Sequence, residues 1–306
     1  MTERRTVMPA DVGAGPRRRR VEAQRFPSNR HLVIAALRAG RHKTPMYGLL
    51  DVDVTLARCL LAAVDPPLSM TAFLAASVAR AAADHPEVHA CRDWRGRLVT
   101  HQFADVSTMV EIATVQGPFP IPHTLRDADI RSVPDLSAEL HQVKTEPLAT
   151  PSARWAERYA PWATRIPGLI PVVYAVMARS IASRRQIGTV AVTSIGMFGG
   201  GAGYGLTPLT LMSLELIVGG ISQQPRIVDG QVEARDVLNL TLAIDHDVVD
   251  GAPAARFAAE LRGIVETAAV LTDPVGVTCP PGQDAVPVSA RSRRPGRPGA
   301  GTSRRR

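Results

Sequence analysis

Asp245, His246 and Asp250 lie within five positions of one another, where an apolar run gives out, in the stretch NLTLAIDHDVVDGAPAARFAAELRGIVET (239–267). An imidazole changes protonation near neutral pH and can act as general base or acid. A carboxylate four residues on can steady such a ring, or can simply occupy the start of a helix. The residues alone leave both readings open for His246, a proton-transfer group or a structural histidine at a strand end. Asp245 is a further candidate for a supporting role.

The elements that must hold this group are legible around it. Leu240, Leu242 and Ile244 alternate with Asn239, Thr241 and Ala243, the period of a half-buried strand. Gly251 permits a turn, and Pro253 suits the first turn of a helix, where its missing N–H costs nothing. Phe257, Leu261, Ile264 and Val265 then share one helical face, and Arg256 and Glu260 are spaced to pair. Strand, loop and helix thus place His246 at a strand-to-helix joint.

Other constellations carry less. His85 and His89 flank Glu87 at metal-ligand spacing, but Pro86 interrupts the helix such a site needs, so a helix C-terminus is the better reading and no metal site is expected. The run GMFGGGAGYG contains neither nucleotide fingerprint and reads as a flexible loop or a close backbone approach. No G-x-S-x-G elbow is present, and Cys59, Cys91 and Cys279 sit in no nucleophile signature. Three widely spread cysteines argue against a disulfide framework and for a reducing compartment.

The remaining body reads as mixed α and β. Strands are expected at Tyr47–Thr55, Asp105–Thr114, Gly188–Ser194 and Leu214–Val218. Hairpins are expected around Arg95-Gly96 and Asp229-Gly230. Helices are expected over Ser69–Asp84, with Ser69 as N-cap, over Val133–Val143, and over most of Pro151–Arg185 with breaks at Pro161, Pro167 and Pro171. Pro118–Pro122 reads as a loop, as does Phe198–Gly205. Strands of the second half follow one another without intervening helices, which favours an α+β sheet over a doubly wound one.

The net charge of +8 is unevenly placed. Residues 1–30 carry eight arginines against three acids, and residues 281–306 carry seven against one, which leaves the body between them slightly acidic. Both ends are rich in Pro, Gly and Ser and are expected to be disordered basic tails that could hold acidic partners without specificity. Three segments result: a tail over 1–30, a catalytic domain over 31–272 and a tail over 273–306. The longest apolar run, Leu169–Ala178, is too short to span a bilayer and contains Pro171. With no secretory signal in the first thirty residues, a soluble cytoplasmic protein is expected.

DHDVVDGAPAARF resembles the D-H-R-x-x-D-G signature of the acyltransferase (dihydrolipoyl transacylase) component of 2-oxo-acid dehydrogenase complexes. Its H-x-x-x-D-G core is shared with chloramphenicol acetyltransferase. GTVAVTSIGMFG resembles that family's strand ending in T-[ST]-x-x-G-x-F-G. RIVDGQVEARDVLNLTLAIDH, LSMTAFLAASVARAAADHPEVHA and IPHTLRDADIRSVPDLSAEL resemble further segments in matching order, from about Tyr47 to Thr267. The resemblance implies a chloramphenicol-acetyltransferase-like mixed sheet with flanking helices. It also implies acyl transfer between coenzyme A and a dihydrolipoyl thiol, at a site in a channel between the subunits of a homotrimer, which can be built into a larger cage. It makes His246 the general base, Thr193 the hydroxyl donor to the oxyanion, and Asp250 the residue that fixes the histidine loop. It further implies dehydrogenase-complex subunits as partners and a lipoyl domain acting in trans.

Two departures stand out. Asp247 replaces the arginine that usually follows the histidine, and Leu211-Met212-Ser213 replaces an N-P-P turn, which bears on trimer packing and the acyl pocket. The alternatives are a stand-alone transferase acting on a small acceptor and a scaffold that catalyses nothing.

Overall fold

The structure, a computed structural model, describes residues 30–114, 117–146, 166, 168–196 and 201–271. The two basic tails apart from Arg30, which opens a helix, most of Pro151–Arg185 before Gly168, and Phe198–Gly200 of the glycine-rich run lie outside the described residues. In chain order the elements are α1 (Arg30–Ala39), β1 (Pro45–Asp53), α2 (Thr55–Ala62), α3 (Met70–Asp84), β2 (Cys91–Arg92), β3 (Leu98–Val99), β4 (Val106–Thr114) and β5 (Gly117–Leu125). There follow α4 (Val133–Thr145), α5 (Leu169–Arg179), α6 (Ile181–Ile187), β6 (Val190–Ser194), β7 (Leu214–Val228), β8 (Gln231–Asp245) and α7 (Gly251–Glu266).

One six-stranded sheet runs in the order β1-β8-β7-β6-β4-β5. It is mixed: β6 is parallel to both β4 and β7, and the other pairings are antiparallel. The expected α+β architecture is therefore present. Phe257, Leu261 and Val265 of α7, the apolar face of α3, and Leu136 and Leu140 of α4 pack on one side of the sheet against Val192, Leu216, Leu240 and Leu242. Ser69 caps α3 by accepting from the Ala72 amide at 3.4 Å, as its position in the sequence predicts. The long β7–β8 hairpin turns at Asp229 (φ 49°) and Gly230 (φ 79°), the pair of left-handed residues that a tight hairpin turn requires.

Several expectations are corrected. Thr55 opens α2 rather than closing β1, and α1 and α2, both amphipathic, add to the helices expected from the sequence. Pro118–Pro122 is not a loop but part of β5. The register sets Pro118, Pro120 and Pro122 opposite Ala113, Glu111 and Met109, and β5 is the edge of the sheet. At alternate positions of an edge strand the N–H points outward and is not used by the ladder, so proline is tolerated there. Pro171 does not break a helix but lies in the first turn of α5.

The strand before His246 is not half-buried. Residues Val237–Asp245 are buried on both faces, because Leu209 from the segment after the glycine run packs with Ile217 and Ala243 on the side away from the helices. Glu260 is taken by His85 at 2.7 Å, tying α7 to the end of α3, rather than standing as the partner of Arg256. Cys59 is disulfide-bonded, contrary to the sequence reading, and Cys91 is a buried free thiol. A fold can join cysteines that spacing alone does not pair. Among the described residues no helix is long and apolar enough to cross a membrane.

Candidate active site

β8 ends at Asp245, and the next residue, His246, still follows the sheet: its amide donates to the Thr44 carbonyl at 2.8 Å, continuing the pairing with β1. The chain then turns tightly, with the Val248 and Val249 amides donating to the Asp245 carbonyl at 3.0 and 3.2 Å. Asp250 stands at the N-cap of α7 with an extended backbone, but its side chain caps no amide. The imidazole is 45% exposed and the Asp250 side chain 91% exposed, and Nδ1 lies 4.0 Å from Oδ1, beyond a direct hydrogen bond. Within one protomer the ring is open to solvent and Asp250 is not seated against it. Asp247 is exposed and its amide donates to Asp245 Oδ1 at 3.4 Å.

Beneath the exposed ring lies a buried set of charges. Lys43 Nζ reaches Asp245 Oδ2 at 2.8 Å and the Ser213 hydroxyl at 3.3 Å, with both charged side chains nearly inaccessible. Burial pushes the Lys43 ammonium below its ordinary range, and the hydrogen bond and charge of Asp245 act against that push. Glu215, one strand away, accepts from the amide and hydroxyl of Thr210 at 2.7 and 2.6 Å, while burial raises its carboxyl above the usual range. Arg184 is 1% exposed and donates to the carbonyls of Leu211 (2.6 Å) and Ala178 (3.2 Å), beside the Cys91 thiol. Desolvation pushes the neighbouring His89 imidazole down to about 4.

Thr193 belongs to a different place. It lies on β6 opposite Ile217, which in turn lies opposite Thr241 on β8. His246 is five residues beyond Thr241, so it is roughly 17 Å further along the sheet and two strands across. One protomer therefore does not bring Thr193 and His246 together. Around the Thr193 end the chain is held by glycines and amides. A Cβ on Gly196 would meet the Gly219 carbonyl oxygen at 1.6 Å, and one on Gly220 would meet that of Gly201 at 1.8 Å. Gly220 donates to the Gly203 carbonyl at 2.9 Å, and Gly203 donates to Asn239 Oδ1 at 2.8 Å. Asn239 in turn donates to Asp51 at 2.5 Å, which also accepts from the Tyr204 hydroxyl at 2.6 Å. The described glycines at 196, 201 and 203 thus make a close backbone approach to Gly219 and Gly220.

Lys43, Arg184, Glu215 and Asn239 were not singled out by the sequence. Lys43 and Asp245 are 202 residues apart, and no local spacing announces their contact.

A family model for the catalytic domain of 2-oxoacid dehydrogenase acyltransferases matches residues 179–272, which hold β6, β7, β8, His246 and α7. That segment is what the chain shares with the family. The chain is 34% identical over 128 residues to the lipoamide acyltransferase component of the branched-chain alpha-keto acid dehydrogenase complex of Pseudomonas putida, covering 40% of this chain and 29% of that protein. It is 27% identical over 255 residues to the component of the same name from Pseudomonas aeruginosa, covering 79% of this chain and 51% of that one. The chain thus spans about half or less of the length of these curated relatives. Among solved structures, a probable dihydrolipoamide acetyltransferase from Listeria monocytogenes shares the fold with a TM-score of 0.59 at 20% identity, over 84% of this chain and 99% of that chain. The dihydrolipoamide acetyltransferase of Azotobacter vinelandii does so with a TM-score of 0.60 at 18% identity, over 86% and 99%.

Proposed function

We propose that this chain is an acyltransferase that moves an acyl group between coenzyme A and a dihydrolipoyl thiol, with His246 as general base. The observation that carries the proposal is the solvent-open imidazole at the end of β8, inside the segment matched to the acyltransferase family. A thiol is largely protonated at neutral pH and is a poor nucleophile in that form. His246 takes the S–H proton as sulfur attacks the thioester carbonyl. The carbonyl oxygen becomes an oxyanion, and the Thr193 hydroxyl donates to it. When the tetrahedral intermediate collapses, the departing thiolate recovers its proton from the imidazolium.

In the Azotobacter vinelandii enzyme a serine, a histidine and an asparagine four residues after it have roles in the catalytic mechanism. Asp250 stands at that spacing here, and its part is to fix the turn that carries His246. Since Thr193 and His246 of one protomer lie roughly 17 Å apart along the sheet and two strands across, the site is completed by Thr193 from a second copy, as in a trimer that can build a larger cage. The lipoyl group is supplied in trans by a dehydrogenase complex with which this chain assembles.

An acyl-exchange assay with free dihydrolipoamide and a panel of acyl-CoAs tests the reading. Turnover that depends on the thiol acceptor is the expected result. Turnover only with a hydroxyl or amine acceptor would replace it with a small-molecule transferase. No turnover with any acceptor would leave a scaffold.

A further inference from the structure

Among the described residues nothing grips the His246 ring, from which Asp250 stands 4.0 Å away. What is gripped is the residue before it. The carboxylate of Asp245 is 2.8 Å from Lys43 Nζ, and its other oxygen accepts from the Asp247 amide at 3.4 Å. Its carbonyl accepts from Val248 and Val249, and its amide donates to the Ser213 carbonyl at 2.9 Å. Thr44, next to Lys43 in the chain, receives the amide of His246 itself. Residues 43 and 44 therefore hold residues 245 and 246 by side chain and by main chain at once.

The hold is buried. The side chains of Lys43 and Asp245 are 14% and 5% exposed, against 45% for His246. A buried pair is short-range and directional, because water cannot compete for either partner. The charges facing the pair from neighbouring elements are Arg184 on α6 and Glu215 on β7.

We propose that Lys43 is a positioning residue for His246, acting through Asp245. It touches no substrate. It fixes the backbone from which the imidazole projects, and so sets where the proton acceptor stands. This rests on His246 being the base.

The test uses the full chain and four proteins: wild type, Lys43→Arg, Lys43→Met, and Lys43→Met with Asp245→Asn. The double variant removes both buried charges together, which keeps the fold available where Lys43→Met alone leaves an unpaired carboxylate. Acetyl exchange with dihydrolipoamide gives kcat and KM, and hydrogen exchange gives the opening rates of the amides of 246–249. A displaced base lowers kcat on the order of 10²-fold with little change in KM. The expected result is that loss in Lys43→Met and in the folded double variant, with substantial rescue in Lys43→Arg. Amides 246–249 should exchange about tenfold faster in both Met-bearing proteins while those of β4 do not.

Recovery of kcat in the double variant would overturn the proposal, because it would show that the pair serves stability alone. Unchanged exchange at 246–249 would overturn it as well. If the wild type catalyses no acyl exchange, the proposed function fails, and the amide rates alone then decide whether Lys43 holds this turn.

Discussion

The His246 and Thr193 regions of the sheet are built from different materials. At the His246 end the chain is fixed by buried charges: Lys43 with Asp245, Glu215 under Thr210, and Arg184 on the carbonyls of Leu211 and Ala178. At the Thr193 end it is fixed by the absence of side chains, with glycine backbones in contact and an amide, Asn239, stitching the loop to Asp51. The first arrangement responds to protonation and the second to volume. Both ends must be firm if a base from one protomer is to meet a hydroxyl from another.

That contrast can be broken in several ways. The largest effect is expected from His246→Ala, which should lower turnover on the order of 10² to 10⁴-fold while leaving the unfolding midpoint in place. Unchanged turnover would remove the chemistry from this end. Next is Gly219→Ala. Its Cβ would lie 2.2 Å from the Gly203 carbonyl oxygen and 2.7 Å from that of Asn239, both backbone atoms that cannot swing aside. A loss of about 3 kcal/mol or more in urea unfolding is expected. A loss below ~0.5 kcal/mol would show that the glycine end is not volume-limited.

Acid should separate the two ends. His89 is fully buried with its folded pKa at about 4, against an ordinary value near 6.5. The folded state then binds fewer protons than the unfolded chain between those values. Stability from this group is complete above the unfolded pKa and declines as pH falls towards 4, by on the order of 3 kcal/mol. Denaturant unfolding at pH 7 and pH 4.5 should show the decline, and His89→Asn should flatten it. Asn239→Ala comes next, because it leaves the Gly203 amide without its acceptor and takes one donor from Asp51, which keeps that of Tyr204. A loss of roughly 1–3 kcal/mol is expected, with the same cost at both pH values. Tyr204→Phe removes one largely exposed hydrogen bond to Asp51, and about 0.5–1 kcal/mol is expected by the same measurement.

The sequence makes the His246 joint legible because strand, turn and helix there obey local rules. The period of two ends at Asp245, Gly251 follows, and α7 shows its apolar face. The Ser69 cap and the Asp229-Gly230 turn are readable for the same reason. What the sequence hides is whatever depends on distant partners. Lys43 gains its meaning only when β1 and β8 pair, and Glu260 finds His85 rather than the nearer Arg256. Burial of β8 on both faces depends on Leu209, thirty residues upstream. The prolines of β5 mislead because they are local loop signals, and only the sheet order shows that the strand has an unpaired side.

Those prolines have a consequence for how copies of this chain can grow onto one another. With no N–H at Pro118, Pro120 and Pro122, the outer rim of β5 offers carbonyls without the donors a further strand would need. The sheet is thereby terminated on that flank by its own backbone chemistry. Any extension of it across a subunit boundary must use the opposite flank, where β1 lies, so the molecule is directional as a building block before a partner arrives.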